Sequence, residues 1–265
     1  MAYAHVNNQR LYFEDTGGNG PVIVFSHGLL MDHEMFAPQV AALRDRYRVI
    51  TWDERGHGLT AGSTLEPFSY YDSANDLAAL LQHLGIKRAI LAGMSQGGYL
   101  SLRCALTHPE IVRALVLIDT QAMPEDPAKM PAYKQMLDAW AAHGLSAQIS
   151  TIIEQIILGT GWAGSALWKE KWKHVQPHNL IGCFHTLGNR DDISSKLAQI
   201  KVPALVIHGE KDMAITLDRA RALANGLPHA ELAVIPGAGH AANLTHAAAV
   251  TPLIERFLTS LEKDA

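Results

Sequence analysis

A serine flanked by glycines is the first residue whose surroundings suggest chemistry. Residues 93–97 read Gly-Met-Ser-Gln-Gly, which fits the pattern Gly-x-Ser-x-Gly around Ser95. An apolar run at 89–92 precedes this segment, and a helix-compatible stretch at 99–108 follows it. A sharp turn between a strand and a helix can present a serine hydroxyl as a nucleophile, provided that glycines leave room around it. The five residues would equally fit a turn with a passive serine, so a base, an acid and an oxyanion hole are needed as well.

His240 is the best candidate for the base. A serine hydroxyl is almost fully protonated at neutral pH and needs an adjacent base, which is usually a histidine held by a carboxylate. Of the 14 histidines, His240 follows a predicted strand at 230–235 and lies among glycines in the segment 237–242. Those glycines release the chain at the strand end, so we predict that His240 takes the proton from Ser95 and returns it to the leaving group.

Two aspartates compete for the role of the acid. Asp119 and Asp212 both follow predicted strands, and ligands gather at the carboxyl ends of strands in open parallel sheets. We favour Asp212, because a short loop that ends in aspartate just after a core strand can reach a histidine one strand away. The predicted role of Asp212 is to fix the tautomer of His240 and to stabilise its charged form.

Two backbone N–H groups are candidates for the oxyanion hole. One belongs to Gln96, the residue after the nucleophile, and the other to Leu29, in the loop after the third strand. Losing one such donor typically costs about 10²–10³ in rate. We expect His27 to shape that loop through hydrogen bonds, and Asp53 to cap the next loop and support the oxyanion segment.

Metal and phosphate sites are disfavoured, and the sequence predicts no cofactor. His174, His178 and His185 are the candidate metal ligands, but Pro177 interrupts the helix and no cysteine or acid completes a tetrahedral set. The glycines at 17–20 precede a strand rather than follow one, so they do not form a phosphate-binding loop.

Composition narrows the class of protein. The 265 residues are 48% hydrophobic and 18% charged, which is typical of one large globular domain. A formal net charge of −4 argues against a nucleic-acid partner, and two cysteines cannot form a disulfide framework. The first ten residues lack the apolar core of a signal peptide, and no apolar run approaches the roughly 20 residues needed to span a bilayer. We therefore expect a cytoplasmic protein with a small-molecule partner and no membrane association.

Apolar runs that alternate with helical spacing predict a mostly parallel sheet with helices on both faces. The predicted strands are 3–6, 10–14, 22–25, 48–53, 89–92, 112–118, 202–208 and 230–235. The predicted helices outside the segment 121–198 cover about 35–46, 70–84, 99–108, 215–226 and 246–262.

The segment 121–198 contains no convincing strand and four of the five tryptophans. Its helical stretches cover about 128–143, 145–158, 163–175 and 178–188. We predict a helical cap at 121–198, inserted into a core domain formed by 1–120 and 199–265. Such a cap must cover Ser95, which makes cap residues such as Trp140 and Trp162 candidates for substrate contact.

Taken in order, these motifs resemble the α/β-hydrolase superfamily over nearly the whole chain. The resemblance rests on the segment 93–97, the His27–Gly28 loop, the Asp-x-x-Gly-x-Gly turn at 53–58, Asp212 and Gly239–His240. It implies an α/β-hydrolase fold, with a mostly parallel eight-stranded sheet and a helical cap after the sixth strand. The short chain, the serine, the small cap and Asn-Arg-Asp-Asp at 189–192 are similar to the carboxylesterase and 3-oxoadipate enol-lactonase-like group.

Ser95 stands where haloalkane dehalogenases and epoxide hydrolases carry an aspartate, which argues against both activities. The Gly-Gly-Gly-type oxyanion loop of the hormone-sensitive-lipase group is absent. The turn around the nucleophile, Met94-Ser95-Gln96, departs from the Asn-Ser-Met-Gly pattern of C–C bond hydrolases. The leading prediction is a serine hydrolase of small carboxylic esters or lactones that works through an acyl-enzyme. An enol-lactone hydrolase, a cofactor-free perhydrolase and a C–C hydrolase stay open, as does a non-catalytic ligand-binding member of the fold.

Overall fold

One eight-stranded sheet organises the chain, in the order β1-β2-β4-β3-β5-β6-β7-β8. The structure is a computed structural model that describes residues 2–60 and 65–263. The strands are β1 (Ala2–Val6), β2 (Gln9–Asp15), β3 (Val22–Ser26), β4 (Arg48–Trp52), β5 (Ala89–Met94), β6 (Val112–Ile118), β7 (Ala204–Gly209) and β8 (Ala230–Ile235). β2 pairs antiparallel with β1 and β4, whereas β4, β3, β5, β6, β7 and β8 pair in parallel. The predicted mostly parallel sheet is therefore confirmed.

Local sequence explains where these strands form. β5 and β7 are continuous apolar runs, and all of their residues are buried because both faces of the sheet are covered. β1 and β2 form a hairpin across Asn7 and Asn8, whose φ values of +47° and +59° suit the two-residue turn that asparagine favours. Because both faces of the sheet are covered, the described residues form two apolar cores, one on each face.

Ten helices accompany the sheet in the described part of the chain. They are α1 (Ala37–Leu43), α2 (Tyr70–His83), α3 (Gln96–Thr107), α4 (Met130–His143), α5 (Ala147–Ile157), α6 (Ser165–Trp172), α7 (Pro177–Gly188), α8 (Leu217–Gly226), α9 (Ala242–Thr245) and α10 (Ala247–Lys263). Helices α2, α3 and α8 share one apolar core with the sheet, and α1 and α10 share the other. No helix in residues 2–60 and 65–263 combines the length and apolar character that a membrane span requires.

Helices α4 to α7, here called the inserted helices, lie between β6 and β7 in the chain. Their bounds agree with the predicted helical stretches to within a few residues, while the domain boundaries at 121 and 198 stay a prediction. Two other helices differ from expectation. The helix predicted at 35–46 begins as a 3-10 turn at His33–Phe36, and α3 begins at Gln96 rather than near residue 99, directly after Ser95.

Candidate active site

Ser95 lies at the junction of β5 and α3, in a backbone conformation that serine rarely adopts. Its φ is +51°, in the left-handed region, and its side chain is largely buried. Gly97 allows this turn to pack against β3, because a Cβ there would lie 1.9 Å from the carbonyl oxygen of Ser26. Gly93 is equally confined, since its Cβ would lie 2.1 Å from the carbonyl oxygen of Gly97. The glycine spacing in the sequence thus has a steric cause.

The structure brings the three candidate catalytic side chains together from separate strand ends. His240 Nε2 lies 3.0 Å from Ser95 Oγ, and His240 Nδ1 lies 2.8 Å from Asp212 Oδ2. Asp212 Oδ1 accepts two further hydrogen bonds, from the N–H groups of Ala214 (2.8 Å) and Ile215 (2.9 Å). Because the carboxylate is an acceptor, the proton of a neutral His240 belongs on Nδ1. Nε2 is then free to accept the serine proton.

The charge of Asp212 tunes the basicity of His240. Burial by itself lowers the pKa of His240, but the charge and hydrogen bond of Asp212, with smaller contributions from the charges of Asp119 and Glu125, together hold that pKa above its ordinary value of 6.5. The side chain of Asp212 is fully buried, so this interaction is little screened by solvent. The geometry therefore produces a base that is stabilised when it becomes charged.

Asp119, the competing acid, occupies a different position. Its Oδ1 accepts a 2.7 Å hydrogen bond from the N–H of Gly209, and its Oδ2 accepts one of 2.9 Å from the N–H of Ala242. Neither oxygen is hydrogen-bonded to His240. Burial and the neighbouring Asp212 carboxylate raise the pKa of Asp119 well above its usual range. Asp119 thus links the end of β7 to the loop that carries His240.

The two candidate oxyanion donors lie beside the nucleophile. Leu29 lines the same cavity as Ser95, and Gln96 is the first residue of α3. Among the described residues, neither backbone N–H has a hydrogen-bond acceptor, which leaves both available to a bound oxyanion. The next residue, Leu30, has a φ of +63°, and its carbonyl accepts a 2.8 Å hydrogen bond from Nε1 of Trp172. The inserted helices are therefore anchored to the loop that carries Leu29.

His27 and Asp53 shape the loops behind this site. His27 Nδ1 donates to the carbonyl of the following residue (2.8 Å), and its Nε2 accepts from the N–H of Glu54 (2.9 Å). Burial lowers the pKa of His27, in keeping with a neutral ring that both donates and accepts. Asp53 accepts hydrogen bonds from the backbone N–H groups of His33 and Leu59. These contacts agree with the supporting roles expected from the sequence.

Glu54 forms a buried polar network that sequence reasoning missed. Its Oε2 accepts a 2.5 Å hydrogen bond from Nε2 of Gln96, and its Oε1 shares a hydrogen bond with the Ser73 hydroxyl. The hydroxyl of Tyr70 lies 3.3 Å from Oε1 of Gln96. Burial raises the pKa of Glu54 to about 8. The only sequence signal was an acid directly after Asp53 at the end of a strand.

A cavity of about 90 Å³ opens onto Ser95. The inserted helices supply much of its wall through Tyr133, Met136, Leu137, Ile153, Ile156, Ile157, Phe184 and Leu187. Trp140 and Trp162, the two tryptophans predicted to contact substrate, do not line it. Trp140 is buried in the apolar core, and Trp162 packs partly buried against the same core. Trp140 lies on the same face of α4 as Tyr133, Met136 and Leu137, but further along the helix, beyond the part that lines the cavity, and Trp162 lies in the connection between α5 and α6.

The histidines His174, His178 and His185 do not form a cluster in the described ranges of the chain. Within residues 2–60 and 65–263, the one group of three side chains spaced for metal ligation consists of Asp119, His208 and Asp212. Both carboxylates of that group already accept hydrogen bonds from backbone N–H groups.

Comparisons with known proteins agree with this geometry. The family described as alpha/beta hydrolase fold matches residues 21–152 and 154–247. RutD of Serratia proteamaculans (strain 568), provisionally named a carbamate hydrolase, is 29% identical over 245 residues, covering 89% of this chain and 91% of its own. The enol-lactonase from Burkholderia xenovorans LB400 has a TM-score of 0.89 at 28% identity, covering 97% of this chain and all of that one. A thermophilic esterase from Thermogutta terrifontis has a TM-score of 0.86 at 26% identity, covering 96% and 94%. The chain belongs to the alpha/beta hydrolase fold family.

Proposed function

We propose that this protein is a serine hydrolase of small carboxylic esters or lactones, acting through an acyl-enzyme. One observation carries the proposal: Ser95 Oγ lies 3.0 Å from His240 Nε2, which is held in turn by Asp212, at the wall of an apolar cavity. Activated serine, oriented base and unpaired N–H donors are the parts that acyl transfer requires.

Acylation would use each group in turn. Ser95 Oγ attacks the carbonyl carbon while its proton passes to His240 Nε2, and the carbonyl π electrons move onto oxygen. The N–H groups of Leu29 and Gln96 then hold the oxyanion. When the tetrahedral intermediate collapses, the C–O bond to the alcohol breaks and His240 gives its proton to the leaving oxygen. The acyl group is left on Ser95.

Deacylation repeats the same chemistry with water as the nucleophile. His240 takes a proton from water, the resulting hydroxide attacks the acyl-enzyme carbonyl, and the same two N–H groups hold the second oxyanion. Collapse releases the carboxylic acid and returns the proton from His240 to Ser95. The charge of Asp212 stabilises the imidazolium in both steps, in line with the raised pKa of His240.

The names of two structural neighbours, an enol-lactonase and an esterase, support a carboxylic ester or lactone as the substrate class. A perhydrolase or a C–C hydrolase would use the same three side chains and would differ in what enters the cavity. We also propose that the inserted helices act as a cap, because they wall the cavity over Ser95. Oriented contacts from Asp212 through His240 to Ser95 favour an enzyme over a non-catalytic binder.

Two measurements on the Ser95→Ala variant test the proposal. Wild-type protein should hydrolyse p-nitrophenyl acetate and incorporate one fluorophosphonate label at Ser95, whereas Ser95→Ala should lose turnover by several orders of magnitude and take up no label. Ser260→Ala, a serine of α10 whose hydroxyl donates to a helix carbonyl, is the matched control and should keep both. Full turnover by Ser95→Ala would refute the mechanism. Absence of labelling in the wild type would favour a binder.

A further inference from the structure

The described lining of the cavity at Ser95 includes a single carboxylate, that of Glu125. Its lining is apolar except for Ser95, Tyr99, Glu125 and Tyr133. Among the described residues that line it, there is no lysine, arginine or histidine. The mechanism proposed above makes no use of Glu125, although this side chain is only 6% exposed. A buried acid in an apolar substrate cavity requires an explanation, because burying a charge is costly unless it is paired.

Arg190 supplies the counter-charge from behind the cavity wall. Its Nη1 donates a 2.9 Å hydrogen bond to Oε2 of Glu125, and its side chain is 1% exposed. The guanidinium lies 4.2 Å from the centre of the Tyr99 ring and also donates to the backbone carbonyls of Met123 and Leu187. Arg190 is not among the residues that line the cavity. A ligand therefore meets the acid of this pair and not the base.

The other oxygen of Glu125 retains the capacity to accept a hydrogen bond. Among the described residues, Oε1 has one hydrogen bond, a long contact of 3.4 Å from the N–H of Asp126. A carboxylate oxygen has room for about two donors, so Oε1 can accept from a ligand. The same acid lies close enough to the catalytic groups for its charge to contribute to raising the pKa of His240.

Among the described residues that line the cavity, Glu125 is the one charged side chain. Burial, followed by the charges of Glu125 and Asp212, raises the pKa of Tyr133 to about 12, so this lining residue is a neutral hydrogen-bond donor and acceptor. A substrate carboxylate would lose its hydration on entry and would face Glu125 without a cation to replace that water. Juxtaposed like charges in a desolvated site are strongly unfavourable.

We infer that Glu125 is a specificity-determining residue, which rejects acyl groups that end in a carboxylate and accepts those that offer a neutral hydrogen-bond donor. A hydroxyl or a carboxamide N–H can donate to Oε1 of Glu125, whereas a carboxylate cannot donate at all. The inference rests on the proposed function and narrows its substrate class. It directs the search away from carboxylate-bearing lactones, including the enol-lactone of 3-oxoadipate, and towards neutral polar esters and lactones.

An isosteric pair of substrates tests the inference. Monomethyl glutarate ends in a carboxylate, and its amide analogue, methyl 5-amino-5-oxopentanoate, has nearly the same shape but ends in a neutral donor. At pH 8, wild-type kcat/KM should be at least about 100-fold higher for the amide, because the juxtaposition of like charges costs several kcal/mol and each 1.4 kcal/mol is about tenfold. Glu125→Gln should reduce that ratio at least tenfold, chiefly through KM for the acid. Asp126→Asn makes the same charge change one residue along the chain and should leave the ratio unaltered.

Methyl pentanoate separates this inference from the proposed function. If wild-type protein hydrolyses neither methyl pentanoate nor either glutarate derivative, the proposed ester hydrolase activity is wrong, and the inference about Glu125, which rests on it, is wrong as well. If it hydrolyses methyl pentanoate but uses the acid as well as the amide, the inference about Glu125 is overturned and the hydrolase proposal stands. The wild-type ratio decides this point even if Glu125→Gln does not fold. A folded Glu125→Gln variant with an unchanged ratio would also refute the role of this residue.

Discussion

Replacing Asp212 by asparagine is the most direct test of which hydrogen bonds fix the tautomer of His240. The two oxygens of Asp212 have different partners: Oδ1 accepts from the N–H groups of Ala214 and Ile215, and Oδ2 faces Nδ1 of His240. Asparagine has a single acceptor oxygen. If that oxygen stays with the two loop N–H groups, the amide NH₂ points at Nδ1 of His240. The imidazole must then carry its proton on Nε2, where it cannot accept a proton from Ser95.

The size of the effect follows from the two arrangements open to the asparagine. The wrong tautomer typically costs about 10⁴ in kcat in a Ser-His-Asp site. Rotating the amide restores the tautomer but turns NH₂ towards two backbone N–H groups, at about 1–3 kcal/mol for each unsatisfied donor. The two donors together cost about 2–6 kcal/mol, or roughly 30-fold to 10⁴-fold in rate. The cheaper arrangement sets the rate, so we expect kcat to fall by about 30-fold to 10⁴-fold.

Steady-state hydrolysis of p-nitrophenyl acetate by Asp212→Asn and Asp119→Asn provides the assay. Because Asp119 contacts two backbone N–H groups and not His240, Asp119→Asn should lower kcat by less than about tenfold and act mainly on the melting temperature. Circular dichroism should verify that both variants are folded. If folded Asp119→Asn loses activity by orders of magnitude while Asp212→Asn does not, Asp119 is the catalytic acid and the reasoning is refuted.

Three further predictions concern pH and packing. Burial lowers the pKa of His240, but the neighbouring carboxylates more than offset burial, so the net pKa lies above 6.5. We therefore expect kcat/KM to rise with pH through a midpoint above 6.5, and a midpoint below 6.5 would contradict this reasoning. Burial raises the pKa of Glu54 to about 8 from 4.5, so the folded state retains a proton that the unfolded chain releases. Stability to urea should therefore fall between about pH 4.5 and 8, and Glu54→Gln should flatten that slope. Gly97→Ala places a Cβ 1.9 Å from the Ser26 carbonyl oxygen, and we expect a loss of at least about 10² in kcat/KM together with a lower melting temperature. Gly239→Ala, whose Cβ meets no atom within 4 Å, should be close to wild type in stability.

The parts of this protein that were predictable from sequence are those with a local cause. Ser95 and His240 stand among glycines at strand ends. A Cβ at Gly93 or Gly97 would collide with backbone atoms, and Gly237 has a φ of +73°, so glycine marks both turns in the sequence. Asp212 could be favoured over Asp119 because loop length limits reach. The strand β5, and β7 up to His208, were predictable because each is an unbroken apolar run in the sequence.

The parts that were not predictable depend on contacts between distant segments. Glu125 and Arg190 are 65 residues apart, on either side of the inserted helices, and the packing of α7 against α4 accompanies their pairing. Their separate sequence contexts reveal neither the burial nor the partner. Trp140 and Trp162 were chosen by residue type, but which part of the inserted helices and their connections reaches the cavity depends on how the helices pack. The raised pKa of Glu54 likewise arises from burial, which no local pattern records.

The left-handed backbone at Ser95 has an evolutionary consequence. Serine at a φ of +51° is held in a conformation that costs a non-glycine residue about 1–3 kcal/mol, whereas glycine adopts it freely. Ser95→Gly should therefore yield an inactive protein that is harder to unfold than the wild type. A lineage that no longer needed the chemistry would gain stability by losing this hydroxyl. Retention of serine at position 95 among descendants of this chain would then report continuing selection for catalysis.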